Sequence, residues 1–109
     1  MGQEKFKYLF EFGKGGRSIF ISHLDLLRLF GRAARRADLP VALTEGFHPH
    51  LKIKLHQAVK LGVEAQRETG EIILKERRQE DEIRQRWQKE LPAGVVIHGV
   101  KFLRDLSVK

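Results

Sequence analysis

The sequence predicts a single α+β domain in which an antiparallel sheet carries two helices on one face, and three observations predict it. The chain has 109 residues, of which 41% are hydrophobic and 32% charged, a composition typical of one globular domain with a buried core. Several short segments alternate apolar and polar residues, which is the period of half-buried strands. Two longer segments place apolar residues three or four positions apart, which is the period of amphipathic helices.

The first strand is predicted over residues 5–12, where one face is aromatic and carries Phe6, Tyr8, Phe10 and Phe12. We favour a core beneath helices for this face, and the alternative is a base-stacking platform for single-stranded RNA. Residues 13–16, with the sequence GKGG, predict a turn. The segment 17–21 that follows is expected to form either an extra hairpin strand or an extended lead into a helix.

The clearest helix is predicted to begin at Ser22, because Ser22 and Asp25 form a variant of the capping box. It should run to about Ala37, where Asp38-Leu39-Pro40 ends it. Its core stripe is assigned to Leu24, Leu27, Phe30, Ala34 and Ala37. A second face of the same helix is basic and consists of Arg28, Arg32, Arg35 and Arg36.

The rest of the chain continues with the same two periods. A short strand is predicted over 41–44 and a loop over 45–50, after which residues 51–55 alternate as a strand does. Further strands are predicted over 70–75 and 95–103. Between them, a second helix is predicted from residue 80, with Ile83, Trp87 and Leu91 buried and its end at Pro92 and Gly94. The order strand, helix, strand, strand, helix, strand predicts the split βαβ arrangement of the ferredoxin-like fold, with residues 1–109 as one domain.

Positive charge is concentrated in one part of the chain. The formal net charge is +7, and residues 13–54 carry eight basic and three acidic residues, a net +5, together with His23, His48 and His50. Concentrated positive charge attracts polyanions, so the sequence predicts a functional basic surface. The alternative is a basic protein whose charge only keeps it soluble.

Several classes of protein are excluded or disfavoured by composition. The chain has no cysteine, so it holds no disulfide, zinc–thiolate site or iron–sulfur cluster of its own. No apolar run approaches the ~18 residues of a membrane span, and we expect a cytoplasmic protein without membrane contact. The chain contains no nucleophile elbow, HExxH or paired-carboxylate motif, which favours a non-catalytic binding module over an independent enzyme.

RNA is the leading candidate for the anionic partner, because the planar guanidinium of arginine matches two phosphate oxygens at once. The predicted anion-binding residues are Arg17, His23, Arg28, Arg32, Arg35, Arg36, His48, His50, Lys52 and Lys54. No metal site is predicted, because no acid or cysteine pattern accompanies the histidines. Two alternatives stay open: a metal-independent ribonuclease that uses His23 or His48 as acid and base, and a protein–protein adaptor with a basic docking face.

Four blocks of sequence resemble the radical-SAM-linked domain family, a domain of unknown function found fused to, or encoded beside, radical S-adenosylmethionine proteins. They are Ser22-His23-Leu24-Asp25-Leu26, Arg32 to Ala37, Leu39-Pro40 and Gly46-Phe47-His48-Pro49-His50. The chain departs from the family pattern at Leu51, Lys54 and Lys60, and the two lysines add positive charge. Members usually continue beyond this length, so the chain is expected to be a short member or the N-terminal part of a longer one.

The resemblance implies a radical SAM partner protein and a link to RNA or ribosome metabolism. S-adenosylmethionine and the iron–sulfur cluster would then be bound by the partner, and this chain would bind no cofactor. The substrate RNA would be a tRNA or a ribosomal RNA. A looser likeness to the CRISPR repeat endoribonucleases exists at the level of the ferredoxin-like fold, and it accompanies the ribonuclease alternative.

Overall fold

The computed structural model describes residues 5–106, and its strands and helices follow one another in the predicted order. The predicted domain spans 1–109, so residues 1–4 and 107–109 lie outside the described part. The elements are β1 (Phe6–Lys14), α1 (His23–Arg36), β2 (Ile53–Leu55), β3 (Ala65–Leu74), α2 (Glu80–Lys89) and β4 (Val95–Asp105). The strands lie in the order β2-β3-β1-β4 with antiparallel neighbours. This order confirms the α+β prediction, a split βαβ sheet of the ferredoxin-like type.

The aromatic face of β1 forms the centre of the core. Phe6, Tyr8, Phe10 and Phe12 are all buried. The Phe10 ring meets Trp87 of α2 with centroids 4.8 Å apart, and the Phe12 ring meets Phe30 of α1 at 5.0 Å, both edge to face. Trp87 also donates from Nε1 to the backbone carbonyl of Phe30 at 3.0 Å. The core prediction is therefore confirmed, and the base-stacking alternative for this face is wrong because both helices cover it.

The segment between β1 and α1 differs from the prediction. Residues Gly16–Phe20 form a 3-10 helix, so the expected hairpin strand over 17–21 is wrong. Gly16 takes a positive φ of 57°, which turns the chain immediately after β1. Ser18 then donates from Oγ to the carbonyl of Ala93 at 2.8 Å. This long-range contact and the turn at Gly16 override the strand propensity of Ile19 and Ile21.

Helix α1 begins as predicted, but its buried face is shifted. Ser22 is the N-cap, and its side-chain oxygen accepts a hydrogen bond from the Asp25 amide at 3.2 Å. The buried positions include Leu26 and Phe30, whereas Leu24, which was assigned to the core, is 53% exposed. Leu24 and Phe30 lie six residues apart, which places them about 120° apart around a helix of 3.6 residues per turn.

The middle of the chain is more irregular than predicted. The strand expected over 41–44 is wrong in extent, because only isolated bridges occur there, between Val41 and Leu74 and between Leu43 and Leu51. The loop over 45–50 is confirmed. Strand β3 begins earlier than predicted, because its polar first half pairs with β1 as far as Lys14.

Candidate functional site

The exposed side of α1 and the segment 49–53 enclose an open groove of about 470 Å³. Three arginines of α1, Arg28, Arg32 and Arg35, lie along it on successive turns. The remaining lining comes from Leu24, Leu27 and Gly31 of α1 and from Pro49, His50, Leu51 and Ile53. We call this the arginine groove. Its residues come from two parts of the chain that only the fold brings together.

Local contacts hold the 49–53 segment against the helix. Thr44 and His50 share two hydrogen bonds, from the Thr44 amide to the His50 carbonyl at 2.8 Å and from the His50 amide to Thr44 Oγ1 at 2.9 Å. They close the loop over 45–49 and fix the backbone of His50 beside the groove. On the helix side, a Cβ on Gly31 would lie only 3.2 Å from Leu51 Cδ1. The absence of a side chain at Gly31 therefore allows this close approach.

The basic face of α1 is largely uncompensated by acidic groups. Arg28, Arg32, Arg35 and Arg36 are all exposed. Arg28 lies 3.6 Å from Asp25, an exposed pair that contributes little to stability, and the other three have no ion pair within residues 5–106. No acidic side chain lines the arginine groove in the described part of the chain. Positive potential at this face is consequently available to an external anion.

The arginines on and just before α2 provide a contrast within the same molecule. Arg78, Arg84 and Arg86 each lie within ion-pair distance of an acidic side chain, at 3.0, 4.0 and 3.0 Å respectively. The paired glutamates also raise the pKa of Arg78, with its hydrogen bond to Glu76 as the largest cause. Both arginines of α2 have an ion pair, whereas three of the four arginines of α1 have none within residues 5–106.

A second basic cavity lies beside the first, between β2, β3 and β1, with a volume of about 410 Å³. Lys7, Lys52, Lys54 and Glu71 contribute to its lining, and His50, Leu51 and Ile53 border both cavities. A hydrogen bond with the side chain of Lys5 is the largest cause that lowers the pKa of Lys52; burial and the Lys5 charge add to it, and Glu45 opposes it. We call this the lysine cavity. The proximity of Lys5 to Lys52 concentrates positive charge next to this cavity and favours the binding of an anion.

Glu71 neutralises part of the lysine cavity. Its carboxylate accepts from Lys7 Nζ at 2.8 Å and contacts His56 Nε2 at 2.7 Å, while His56 Nδ1 lies 2.7 Å from Thr69 Oγ1. Burial alone would raise the pKa of Glu71, but the hydrogen bonds from Lys7 and His56 and the charges of Lys7 and Lys54 outweigh it and lower the pKa. Sequence reasoning missed His56 because its partners lie 13 and 15 residues away along the chain.

The three histidines singled out by the sequence occupy different settings. His23 Nδ1 accepts a hydrogen bond from the Val59 amide at 3.2 Å, so this ring anchors the loop after β2. His48 is exposed and lines neither cavity. His50 borders both. Within residues 5–106, no three His, Cys, Asp or Glu side chains lie together in a group that could hold a metal ion.

The turn predicted over 13–16 is wrong in part, because Gly13 and Lys14 are the last residues of β1, and it presents no free lysine. Lys14 is only 1% exposed, and its Nζ donates to the carbonyls of Ile19 and Ile21 at 3.1 and 2.9 Å. Burial lowers the pKa of this ammonium group. Arg17, on the 3-10 helix, is exposed but lies outside both cavities. The structure thus gathers Arg28, Arg32, Arg35 and His50 in one groove, places Lys52 and Lys54 in the cavity next to it, and leaves Arg36 exposed outside the groove on α1.

Comparison with known proteins gives one family match. The sequence profile of a family described as an uncharacterized protein conserved in bacteria (DUF2344) matches residues 7–108. No curated protein matches the chain. Within residues 5–106, neither helix has the length and apolar character that crossing a bilayer requires.

Proposed function

We propose that this chain, which belongs to the bacterial family DUF2344, is a non-catalytic module that binds the phosphate backbone of RNA along α1. One observation carries the proposal: Arg32, Arg35 and Arg36 are exposed on one helix without an ion pair in the described residues, and Arg28 continues the row. Phosphate contacts from arginine position a nucleic acid without reading its sequence. A row of unpaired guanidinium groups meets that chemical requirement.

The length of the row suits a polyanion better than a single small anion. From Arg28 to Arg36 the helix rises about 12 Å, at 1.5 Å per residue. A nucleic-acid strand that advances about 3.4 Å per phosphate presents several phosphates over that length. Four arginines spread over about 12 Å can therefore contact several successive phosphates of one strand.

The lysine cavity extends the basic surface beyond the helix. Lys52 and Lys54 lie on the far side of the 50–54 segment, and His50 borders both cavities. An RNA strand that leaves the arginine groove over His50 would meet these lysines next. This arrangement supports an extended contact rather than a single pocket.

The RNA, a tRNA or a ribosomal RNA, is in this proposal presented to a separate radical SAM protein. The support is the resemblance of the blocks at residues 22–26 and 46–50 to domains that accompany such proteins. S-adenosylmethionine and its iron–sulfur cluster would be held by that partner, because this sequence has no cysteine with which to hold a cluster. Cytoplasmic localisation belongs to the same proposal.

A titration with structured RNA tests the proposal. The Arg32→Glu/Arg36→Glu variant should lose binding, because each glutamate repels the phosphate that the arginine attracts. A matched control is Arg84→Glu/Lys89→Glu, which makes the same change of charge on α2 and should retain binding. Circular dichroism must show all three proteins folded. Unchanged affinity in the Arg32→Glu/Arg36→Glu variant would sink the proposal.

The two alternative functions predict different results in a cleavage assay and in a salt titration. A ribonuclease would cleave RNA in the presence of EDTA and lose that activity in His23→Ala or His48→Ala variants. A protein–protein adaptor with a basic docking face would bind an acidic protein partner instead of RNA. The discriminator is salt dependence: RNA binding weakens steeply as salt rises, whereas a largely apolar docking surface responds far less.

A further inference from the structure

The arginine groove is more apolar than the capture of phosphates requires. Its lining includes Leu24, Leu27, Leu51 and Ile53. Leu24 is 53% exposed although it belongs to a helix whose other exposed residues are mostly charged. Contact with leucine does not stabilise a phosphate. The flat face of a nucleobase is partly apolar, so its burial against leucine is favourable. The groove therefore offers cationic groups that match the phosphate of a nucleotide and apolar side chains that match its base.

We propose that the arginine groove receives an unpaired RNA base, so that the chain recognises single-stranded or looped segments rather than continuous duplex. The base lies against Leu24 and Leu27, and the flanking phosphates lie on the arginines. This inference rests on the proposed function and specifies its substrate class. The groove volume of about 470 Å³ falls within the range of small-ligand sites.

Planar groups at the groove supply the stacking partners that such a base needs. Proteins that read single-stranded RNA stack splayed-out bases on aromatic rings, histidine or guanidinium planes. His50 and the guanidinium groups of Arg28, Arg32 and Arg35 all line the groove. Phe47 lies three residues before His50 and outside the groove lining, and its fully exposed ring offers a stacking surface for a neighbouring base.

Gly31 and Leu51 form part of the floor of the groove. Gly31 lies in the lining, and a Cβ at this position would already press on Leu51 at 3.2 Å. A larger residue at this position would push Leu51, and with it the 49–53 segment, away from α1. A base held in a duplex cannot reach this floor, because pairing and stacking keep it inside the helix. Only its phosphates would contact the protein.

The test compares three RNA probes at one low salt concentration, with affinities normalised to phosphate number: a uridine octamer, an abasic ribose-phosphate octamer and a blunt-ended duplex without a loop, which should bind no more tightly than the abasic strand. The uridine octamer should bind at least about fivefold more tightly than the abasic strand, which is the lower end of the contribution of one stacked base. The Leu24→Ser variant should lose this preference and keep the affinity for the abasic strand. Leu103→Ser, a matched change at another exposed leucine that lies outside the groove, should keep the preference.

The outcomes separate this inference from the proposed function. Equal affinity for the uridine and abasic octamers, with loss of both in Arg32→Glu/Arg36→Glu, would overturn the base-binding groove and leave RNA-backbone binding intact. A preference that survives Leu24→Ser would also overturn it. Absence of binding to all three probes would overturn the proposed function itself.

Discussion

Lys14 is a buried cation, and its replacement by methionine tests how the segment 19–21 is held against the end of β1. The side chain is 1% exposed and donates to the carbonyls of Ile19 and Ile21. Burial lowers the pKa of Lys14, and the two backbone oxygens accept hydrogen bonds from its ammonium group. The Lys14→Met variant keeps all but the last atom's length of the side chain and removes both hydrogen bonds.

The expected loss follows from the partners that remain. The Ile19 carbonyl still accepts from the Gly62 amide at 2.7 Å, so the variant leaves chiefly the Ile21 carbonyl without its donor. An unsatisfied buried carbonyl costs about 1–3 kcal/mol. Removing a buried charge offsets part of this cost. We expect a net loss of about 1–2 kcal/mol in the free energy of unfolding, or roughly 5–10 °C in Tm.

The pH dependence gives a second readout for the same variant. Burial lowers the pKa of Lys14 below its ordinary value of 10.5. Between the lowered pKa and 10.5 the unfolded chain binds more protons than the folded one, so wild-type stability rises with pH in that window. Lys14→Met lacks this contribution. The difference in stability between the two proteins should therefore widen as pH rises through the window.

Urea denaturation at neutral pH and at a pH just below 10.5 measures both effects. Lys101→Met, which replaces an exposed lysine of β4, is the matched control and should change stability by less than about 0.5 kcal/mol. If Lys14→Met has the same free energy of unfolding as the wild type and the same dependence of that free energy on pH, then the two carbonyl contacts do not stabilise this part of the fold.

Three further changes probe the scaffold of the site. Ser22→Ala removes the N-cap of α1 and should cost about 1 kcal/mol, seen as a lower Tm by circular dichroism; an unchanged Tm would show that the cap contributes nothing. In urea denaturation, Gly94→Ala should lower the free energy of unfolding by at least about 1 kcal/mol more than Gly62→Ala does. Both residues have positive φ, but only at Gly94 would a Cβ collide with the Gly15 carbonyl. Because the pKa of Glu71 is lowered, its contribution to stability is present above the ordinary value of 4.5 and lost as pH falls through the lowered pKa. The wild type should then lose its advantage over Glu71→Gln in acid, and parallel stability curves of the two proteins would refute this.

The elements that the sequence predicts best are those whose pattern matches a single environment. The aromatic alternation of β1 needs one covered face, and the fold provides it with Phe10 against Trp87. The start of α1 is local, because Ser22 and Asp25 form their contact within one turn. Neither prediction depends on residues far away in the chain.

The errors arise where distant contacts decide the local structure. Segment 17–21 has the composition of a strand, but Ser18 bonds to Ala93, 75 residues away, and the chain forms a 3-10 helix instead. Leu24 was placed in the core by spacing alone, and its exposure beside the arginines reveals the apolar side of the groove. The exposure of Leu24 follows from the direction in which α1 faces the sheet, which only the packed structure defines.

The candidate site was predicted in part. The arginines of α1 follow from helical periodicity, and all four are exposed as expected. The position of the arginines beside His50, and the burial of Lys14 at the end of β1, depend on the three-dimensional arrangement. Charge clustering along a sequence therefore indicated the kind of surface, and the fold supplied its shape.

The salt dependence of RNA affinity tests the central claim most directly. For a single strand, the slope of log affinity against log salt is about −0.7 for each phosphate contact. Four arginine contacts on α1 predict a wild-type slope of roughly −3, and Arg32→Gln should reduce its magnitude by about 0.7. A slope close to zero, or one that is identical in the wild type and Arg32→Gln, would contradict the assignment of α1 as the phosphate-binding surface.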